Sequence, residues 1–178
     1  LHLFTDGRDS PPHAGLRFID EVEEKCKTLA IGHIATIMGR YYGMDRDRRW
    51  ERTETAYNAL TMEPSTTAPS AHIAVDTAYK AGKSDEFIDP VVILDDFGKP
   101  FPRVKNHDAV IFYNYRIDRP RQLTRAFTLS DFETNIGAES FDPYAVKYHH
   151  KHIIEEDTRK KPFTRNVVLP NLFFVTMT

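Results

Sequence analysis

Three apolar, strand-like runs, at residues 1–5, 30–38 and 109–113, are each followed by a turn and then by residues at helical spacing. This strand-then-helix alternation predicts an α/β fold, a mostly parallel sheet flanked by helices, because parallel neighbours need a long crossover that a helix provides. In such a sheet the loops leaving the carboxyl ends of the strands gather on one edge, where ligands bind. The loops here are Asp6-Gly7-Arg8-Asp9, Gly39-Arg40-Tyr41-Tyr42-Gly43-Met44-Asp45-Arg46 and Asn114-Tyr115-Arg116-Ile117-Asp118-Arg119. Together they would deliver five arginines to one edge.

Between the loops the pattern is readable in detail. Ser10, Pro11 and Pro12 give a helix start, followed by Leu16, Ile19, Val22, Cys26 and Leu29 on one apolar face. Asp45 or Asp47 caps a helix that carries Trp50, Thr53, Tyr57 and Leu60 on one side. The stretch 64–69 reads as a loop, and Ser70 caps a small-residue helix closed by Gly82. Residues 87–94 read as a strand interrupted by Pro90, 95–98 as a turn, and Val104 as an edge strand. Asp118 or Arg119 precedes a helix opened by Pro120 and running to about Phe127, and 172–177 closes as a strand. Residues 133–166 break this rhythm; polar and rich in lysine, histidine and tyrosine, they read as a surface insertion.

With 178 residues, 40% hydrophobic and 28% charged, the chain fits one globular domain. No apolar run approaches the roughly 20 residues of a membrane span. Nothing at the start resembles a signal peptide, and the single Cys26, read as a buried inert thiol, suits a reducing compartment; the expected location is the cytoplasm. The net charge of −2 speaks against nucleic acid as a partner, so the arginines are local and balanced elsewhere. There are 14 arginines and 10 lysines, and arginine is the better bidentate reader of carboxylate and phosphate. The chain opens and stops inside strand-like runs, which reads as a domain cut from a longer protein, at its N-terminal side above all.

Asp9 has two readings. The plainer one makes it an anion at the start of the next helix; the functional one makes it an aspartate held ionised by neighbouring Arg8, able to take and return a hydroxyl proton. Arg40 and Arg46 are either paired to Asp45 and Asp47 in a solvated loop or aimed at a ligand that Gly39 and Gly43 let approach. Of Arg46, Arg48, Arg49 and Arg52, three are expected on the exposed face of the helix around Trp50. Arg116 and Arg119, three apart across a strand end and helix start, can face one oxyanion, whereas Arg121 and Arg125 read as surface charges. His149, His150 and His152 lack metal-ligand partners at a convincing spacing, and His2 and His33 read as structural residues in strands. No serine, cysteine or threonine has a recognisable nucleophile setting.

The stretches Phe4–Pro12, Gly39–Arg52 and Ala109–Phe127, with 173–178 at the end, resemble the cofactor-independent (2,3-bisphosphoglycerate-independent) phosphoglycerate mutases. The resemblance covers most of residues 1–130 and the last few. It implies one half of a two-domain enzyme: residues 1–178 as the substrate-binding, or phosphotransferase, domain. The metal-holding phosphatase domain, with two manganese ions and a phosphorylated serine, is absent from the chain, and no cofactor is expected within it. The implied reaction interconverts 3-phosphoglycerate and 2-phosphoglycerate in glycolysis and gluconeogenesis. By motif position Asp9 is the acid/base, Arg8, Arg40 and Arg46 hold the glycerate, and Arg116 and Arg119 face the phosphoryl group. The expected partners are the phosphoglycerates and the enzyme's own phosphatase domain, in a monomer without membrane or nucleic acid, and the fragment alone is expected to be inactive. Two competing readings are a non-catalytic binding module for a small phosphorylated carboxylate and an RNA binder using Tyr41 and Tyr42.

Overall fold

A computed structural model describes residues 1–134 and 161–177. Strand β1 (His2–Thr5) is followed by helix α1 (Gly15–Leu29), β2 (Thr36–Gly39), the one-turn helix α2 (Arg40–Gly43), α3 (Trp50–Thr61), β3 (Thr67–Ala68) and α4 (Ala71–Lys80). A 3-10 turn at Asp85–Phe87 leads into β4 (Val91–Ile93), and β5 (Ala109–Phe112), α5 (Arg121–Thr128) and β6 (Phe173–Thr176) complete the described elements. Four strands form one sheet in the order β1-β2-β4-β3, and β5 pairs with β6 in a second. The α/β expectation holds: β1–β2, β3–β4 and β5–β6 are parallel, and β2–β4 is antiparallel, as is an isolated bridge between Leu94 and Pro100.

Strand β2 organises the core. Successive side chains of a strand point to opposite faces, so Ile37 enters a cluster with Ile19, Val75 and Ile88, while Met38 enters another with Trp50, Tyr57, Phe127 and Phe132. Both are fully buried, as is every residue of β2, which is what a sheet covered on both faces requires.

Several boundaries differ from the sequence reading, each for a tertiary reason. Helix α1 starts at Gly15 rather than near Ser10, because the amides of Ala14 and Gly15 donate to Asp85 Oδ2 at 3.0 and 2.9 Å. A carboxylate 70 residues away thus fixes the helix start. The second strand begins at Thr36, not Ala30, because Ala30 closes α1 in a left-handed conformation at φ 51° and the partner β1 is only four residues long. The 64–69 loop contains β3, and Val104 lies in no strand; its amide bonds to Leu60 O at 2.9 Å. Helix α3 begins at Trp50 without a side-chain cap, although Asp45 accepts from the amides of Asp47 and Arg49 just before it.

Ser70 caps α4 as expected, accepting from the Ile73 amide at 3.2 Å. His33 stacks on Phe101 outside any strand, and Cys26 is only half-buried. Of the 133–166 stretch, 135–160 lies outside the described residues, as do the three clustered histidines. Its described ends are packed: Phe163 joins the aromatic core and Arg165 is buried against Glu133. No described helix is long and apolar enough to cross a membrane.

Candidate functional site

The site stands where β1 and β2 end. Thr5 and Gly39 are paired at the last position of their strands, so the loops that follow leave side by side. In the first loop Asp6 Oδ1 accepts from the amides of Arg8 and Asp9, each at 3.3 Å, and Gly7 takes φ 65°, a left-handed turn suited to glycine. A Cβ on Gly7 would also meet the Glu86 backbone nitrogen at 2.7 Å, so backbone and loop are tightly stacked. This turn sends Arg8 and Asp9 in different directions.

Asp9 is the meeting point of two distant loops. Arg40 Nη1 donates to Asp9 Oδ2 at 2.8 Å, and Arg116 Nη1 donates to the same oxygen at 2.9 Å. Arg40 also donates to Asp6 Oδ1 and is only 3% exposed, a buried cation between two carboxylates. The hydrogen bond from Arg40, followed by its charge, holds the Asp9 carboxyl below its ordinary range, with Arg116 and Arg119 adding to the effect. The aspartate is therefore ionised as expected, but Arg40 is the main cause, not its sequence neighbour. Arg8 turns instead to Glu86, at 3.2 Å. The reading of Asp9 as a helix-start anion also fails, since α1 begins six residues later.

The other arginines surround this pair. Arg46 donates to Asp118 Oδ2, and Arg116 Nε approaches Asp118 Oδ1 at 3.6 Å, so one carboxylate bridges the second and third loops. Arg119 Nη1 donates to Met44 O at 3.1 Å. Its Nε is buried with no hydrogen-bond partner among the described residues. Burial, then repulsion from Arg46 and Arg40, disfavours the Arg119 charge, yet a guanidinium stays protonated at any ordinary pH. Arg116 and Arg119 thus do not converge on one protein atom; the first reaches Asp9 and the second reaches the α2 end.

Arg8, Arg40 and Arg119 line a cleft of about 190 Å³, together with Tyr41, Arg49 and Arg52. Of Arg46, Arg48, Arg49 and Arg52, three are expected on the exposed face of the helix around Trp50; only Arg52 lies within that helix, and Arg49 and Arg52 line the cleft. Arg52 lies over the Tyr41 ring at 3.6 Å, and both approach the buried Asp45. Glu86 and Phe87 also line the cleft and carry no signal in the sequence. They arrive because β4 runs antiparallel to β2: the segment entering an antiparallel strand occupies the edge where its neighbour leaves. A separate open depression of about 370 Å³ around Thr61, Pro102 and Arg103 contains none of the expected residues.

No group of three or more His, Cys, Asp or Glu side chains among the described residues is arranged to hold a metal ion. Asp45 and Asp47 line the cleft as well, whereas Asp9, Arg46 and Arg116 do not; the ionised, half-exposed Asp9 carboxylate is joined to the cleft wall through Arg40. Such a set can bind a small polyanion and exchange a proton with its hydroxyl.

The family described as "BPG-independent PGAM N-terminus" matches residues 1–173. The chain is 54% identical over 135 residues to the 2,3-bisphosphoglycerate-independent phosphoglycerate mutase 1 of Methanosarcina barkeri, covering 75% of this chain and 26% of that protein. It is 53% identical over 133 residues to the 2,3-bisphosphoglycerate-independent phosphoglycerate mutase of Clostridium kluyveri, again covering 26% of the relative. A crystal structure of Leishmania mexicana phosphoglycerate mutase at low cobalt concentration superposes with a TM-score of 0.67 at 25% identity, over 99% of this chain and 28% of that one. The chain therefore spans about a quarter of the length of the relatives it matches. On a match running through nearly its whole length, the chain belongs to the BPG-independent PGAM N-terminus family.

Proposed function

We propose that this chain is the glycerate-orienting part of a cofactor-independent phosphoglycerate mutase, which interconverts 3-phosphoglycerate and 2-phosphoglycerate in glycolysis and gluconeogenesis. The observation that carries the reading is the convergence of Arg40 and Arg116 on Asp9 Oδ2, beside a cleft lined by further arginines. Arg8, Arg40 and Arg46 hold the glycerate, largely by its carboxylate. Arg116 and Arg119 face the phosphoryl group, and the buried Arg119 Nε is a donor that an anionic oxygen would satisfy. Asp9, resting ionised, first accepts a proton from one glycerate hydroxyl and later returns it to the other.

The remaining three quarters of such a protein supplies the phosphatase domain, with a serine that carries the phosphoryl group. Two manganese ions on that domain would stabilise charge on the transferring oxygens. This chain's part is positioning and electrostatics, which carry most of a phosphoryl transfer, and it gives the glycerate a water-poor cover while its two hydroxyls exchange roles.

The test joins the chain to the rest of a matched relative and replaces Asp9→Asn, which keeps the acceptor for Arg40 and Arg116. Turnover should fall about 10²–10⁴-fold with the fold intact by circular dichroism. Turnover within a few-fold of the parent would remove Asp9 from the chemistry. Calorimetry of the 178-residue chain with 3-phosphoglycerate should show binding without conversion.

A further inference from the structure

Two arginine loops that are far apart in sequence are tied together beneath the cleft by a single amide side chain. Gln122, the second residue of α5, is 6% exposed. Its Oε1 accepts from the Arg48 backbone amide at 2.6 Å, and its Nε2 donates to Asp45 Oδ2 at 2.8 Å and to Thr53 Oγ1 at 3.1 Å. Asp45, 4% exposed, in turn accepts from the amides of Asp47 and Arg49, both at 3.0 Å. The segment so held contains Arg48 at φ 56°, a left-handed conformation that a non-glycine residue keeps only when its surroundings enforce it.

We propose that Gln122 and Asp45 form a positioning pair that fixes the Asp45–Arg49 turn, and with it Arg46, in register with the Arg116–Arg119 loop that leads into α5. Among the described residues no other amide-bearing side chain reproduces the arrangement: an acceptor for one loop's backbone and a donor to that loop's buried carboxylate, projected from the other loop's helix. The Arg46–Asp118 and Arg119–Met44 contacts above it cross the same seam, so the cleft's cations depend on how the two loops are stacked. Gln122 lies outside the cleft lining and Asp45 reaches it only as a buried acceptor, so both act through the arginines.

The structural half of this inference is independent of the proposed function, and only its ligand half rests on it. Gln122→Met keeps the volume and removes both the donor and the acceptor. Gln122→Glu keeps an acceptor for Arg48 but replaces the donation to Asp45 by a second buried carboxylate that repels it. Val75→Ala, in the other core cluster, serves as a control of comparable stability loss. Amide hydrogen exchange of the 178-residue chain, without ligand, should show residues 45–49 and 116–121 losing protection together in either Gln122 variant and unchanged relative to each other in Val75→Ala. Loss confined to one loop, or spread evenly over the chain as in the control, overturns the proposal. In titrations with 3-phosphoglycerate, the dissociation constant should rise roughly tenfold or more in the Gln122 variants. An affinity equal to that of Val75→Ala also overturns it. Failure of the unsubstituted chain to bind would instead count against the functional reading and leave the exchange result to decide this one.

Discussion

Arg116 and Asp9, 107 residues apart in the chain, meet at 2.9 Å on the same carboxylate oxygen that Arg40 holds at 2.8 Å. That shared oxygen converts three separate loops into one site. It also means that the charge on Asp9 and the positions of two arginines are a single property, and substitutions at any of the three are expected to interact strongly rather than add.

Arg40→Lys should behave as a severe change despite keeping the charge. A lysine ammonium is a point charge without the planar fork, so it cannot hold Asp6 and Asp9 while presenting donors to the cleft. The expected loss is about 1–3 kcal/mol of stability in urea unfolding, together with at least a roughly tenfold weaker titration with 3-phosphoglycerate. Unchanged affinity would show that Arg40 serves the fold only.

Gly39→Ala tests the close approach behind the site. Gly39 has an ordinary φ of −73°, so the issue is space: an added Cβ would lie 2.2 Å from Glu86 O and 2.7 Å from Asp85 O. Both are backbone atoms and cannot swing aside. The variant should lose about 2–4 kcal/mol, or fail to accumulate as folded protein. A melting temperature within a degree or two of the parent would contradict the packing described here.

Asp85→Ala removes the carboxylate that receives the Ala14 and Gly15 amides and the Tyr79 hydroxyl. Asp85 is buried, so the three donors are left without it in a place water reaches poorly. Destabilisation of about 3 kcal/mol is expected in chemical unfolding, with Tyr79→Phe nearer 1 kcal/mol. Equal losses in the two variants would refute the assignment of Asp85 as the cap of α1.

Acid stability should report on Glu133. Two hydrogen bonds from Arg165, at 2.7 and 2.9 Å, hold its carboxyl at about 2 against an ordinary 4.5. A pKa lowered by folding stabilises the folded chain above the unfolded value and ceases to do so as pH falls through the folded one. The contribution is thus present at neutral pH and lost between about 4.5 and 2. Glu133→Gln should cost about 2 kcal/mol at pH 7, less than for a fully buried pair because Glu133 is 29% exposed, and should flatten the stability profile in that window. A profile as steep as the parent's would assign the acid transition to other carboxylates.

How much of this was legible in the sequence can be traced to particular residues. The strands that meet on both faces, the Ser70 cap and the arginine loops at strand ends all depend on local pattern, and local pattern is what a sequence displays. The start of α1 was not legible because Asp85 caps it from a distant turn, and Glu86 was not because only the antiparallel β2–β4 pairing brings it to the cleft. The sequence shows a cation next to Asp9 in Arg8, but the one that holds it ionised is Arg40, which nothing in one sequence brings to it. Helical spacing puts three of the four arginines around Trp50 on an exposed face and cannot foresee the Tyr41 ring that Arg52 covers.

The same reversal of β4 has a practical outcome for anyone wishing to instrument this protein. Because the strand enters beside the arginines, it leaves on the opposite side, and its exit is the tight turn 95–98. There Asp95 Oδ1 gathers the amides of Phe97 and Lys99, Phe97 projects into solvent, and a Cβ on Gly98 would meet nothing within 4 Å. A fluorophore or surface-tethering handle grafted at Phe97 would therefore travel with the rigid sheet while staying a full strand length away from the chemistry it is meant to watch.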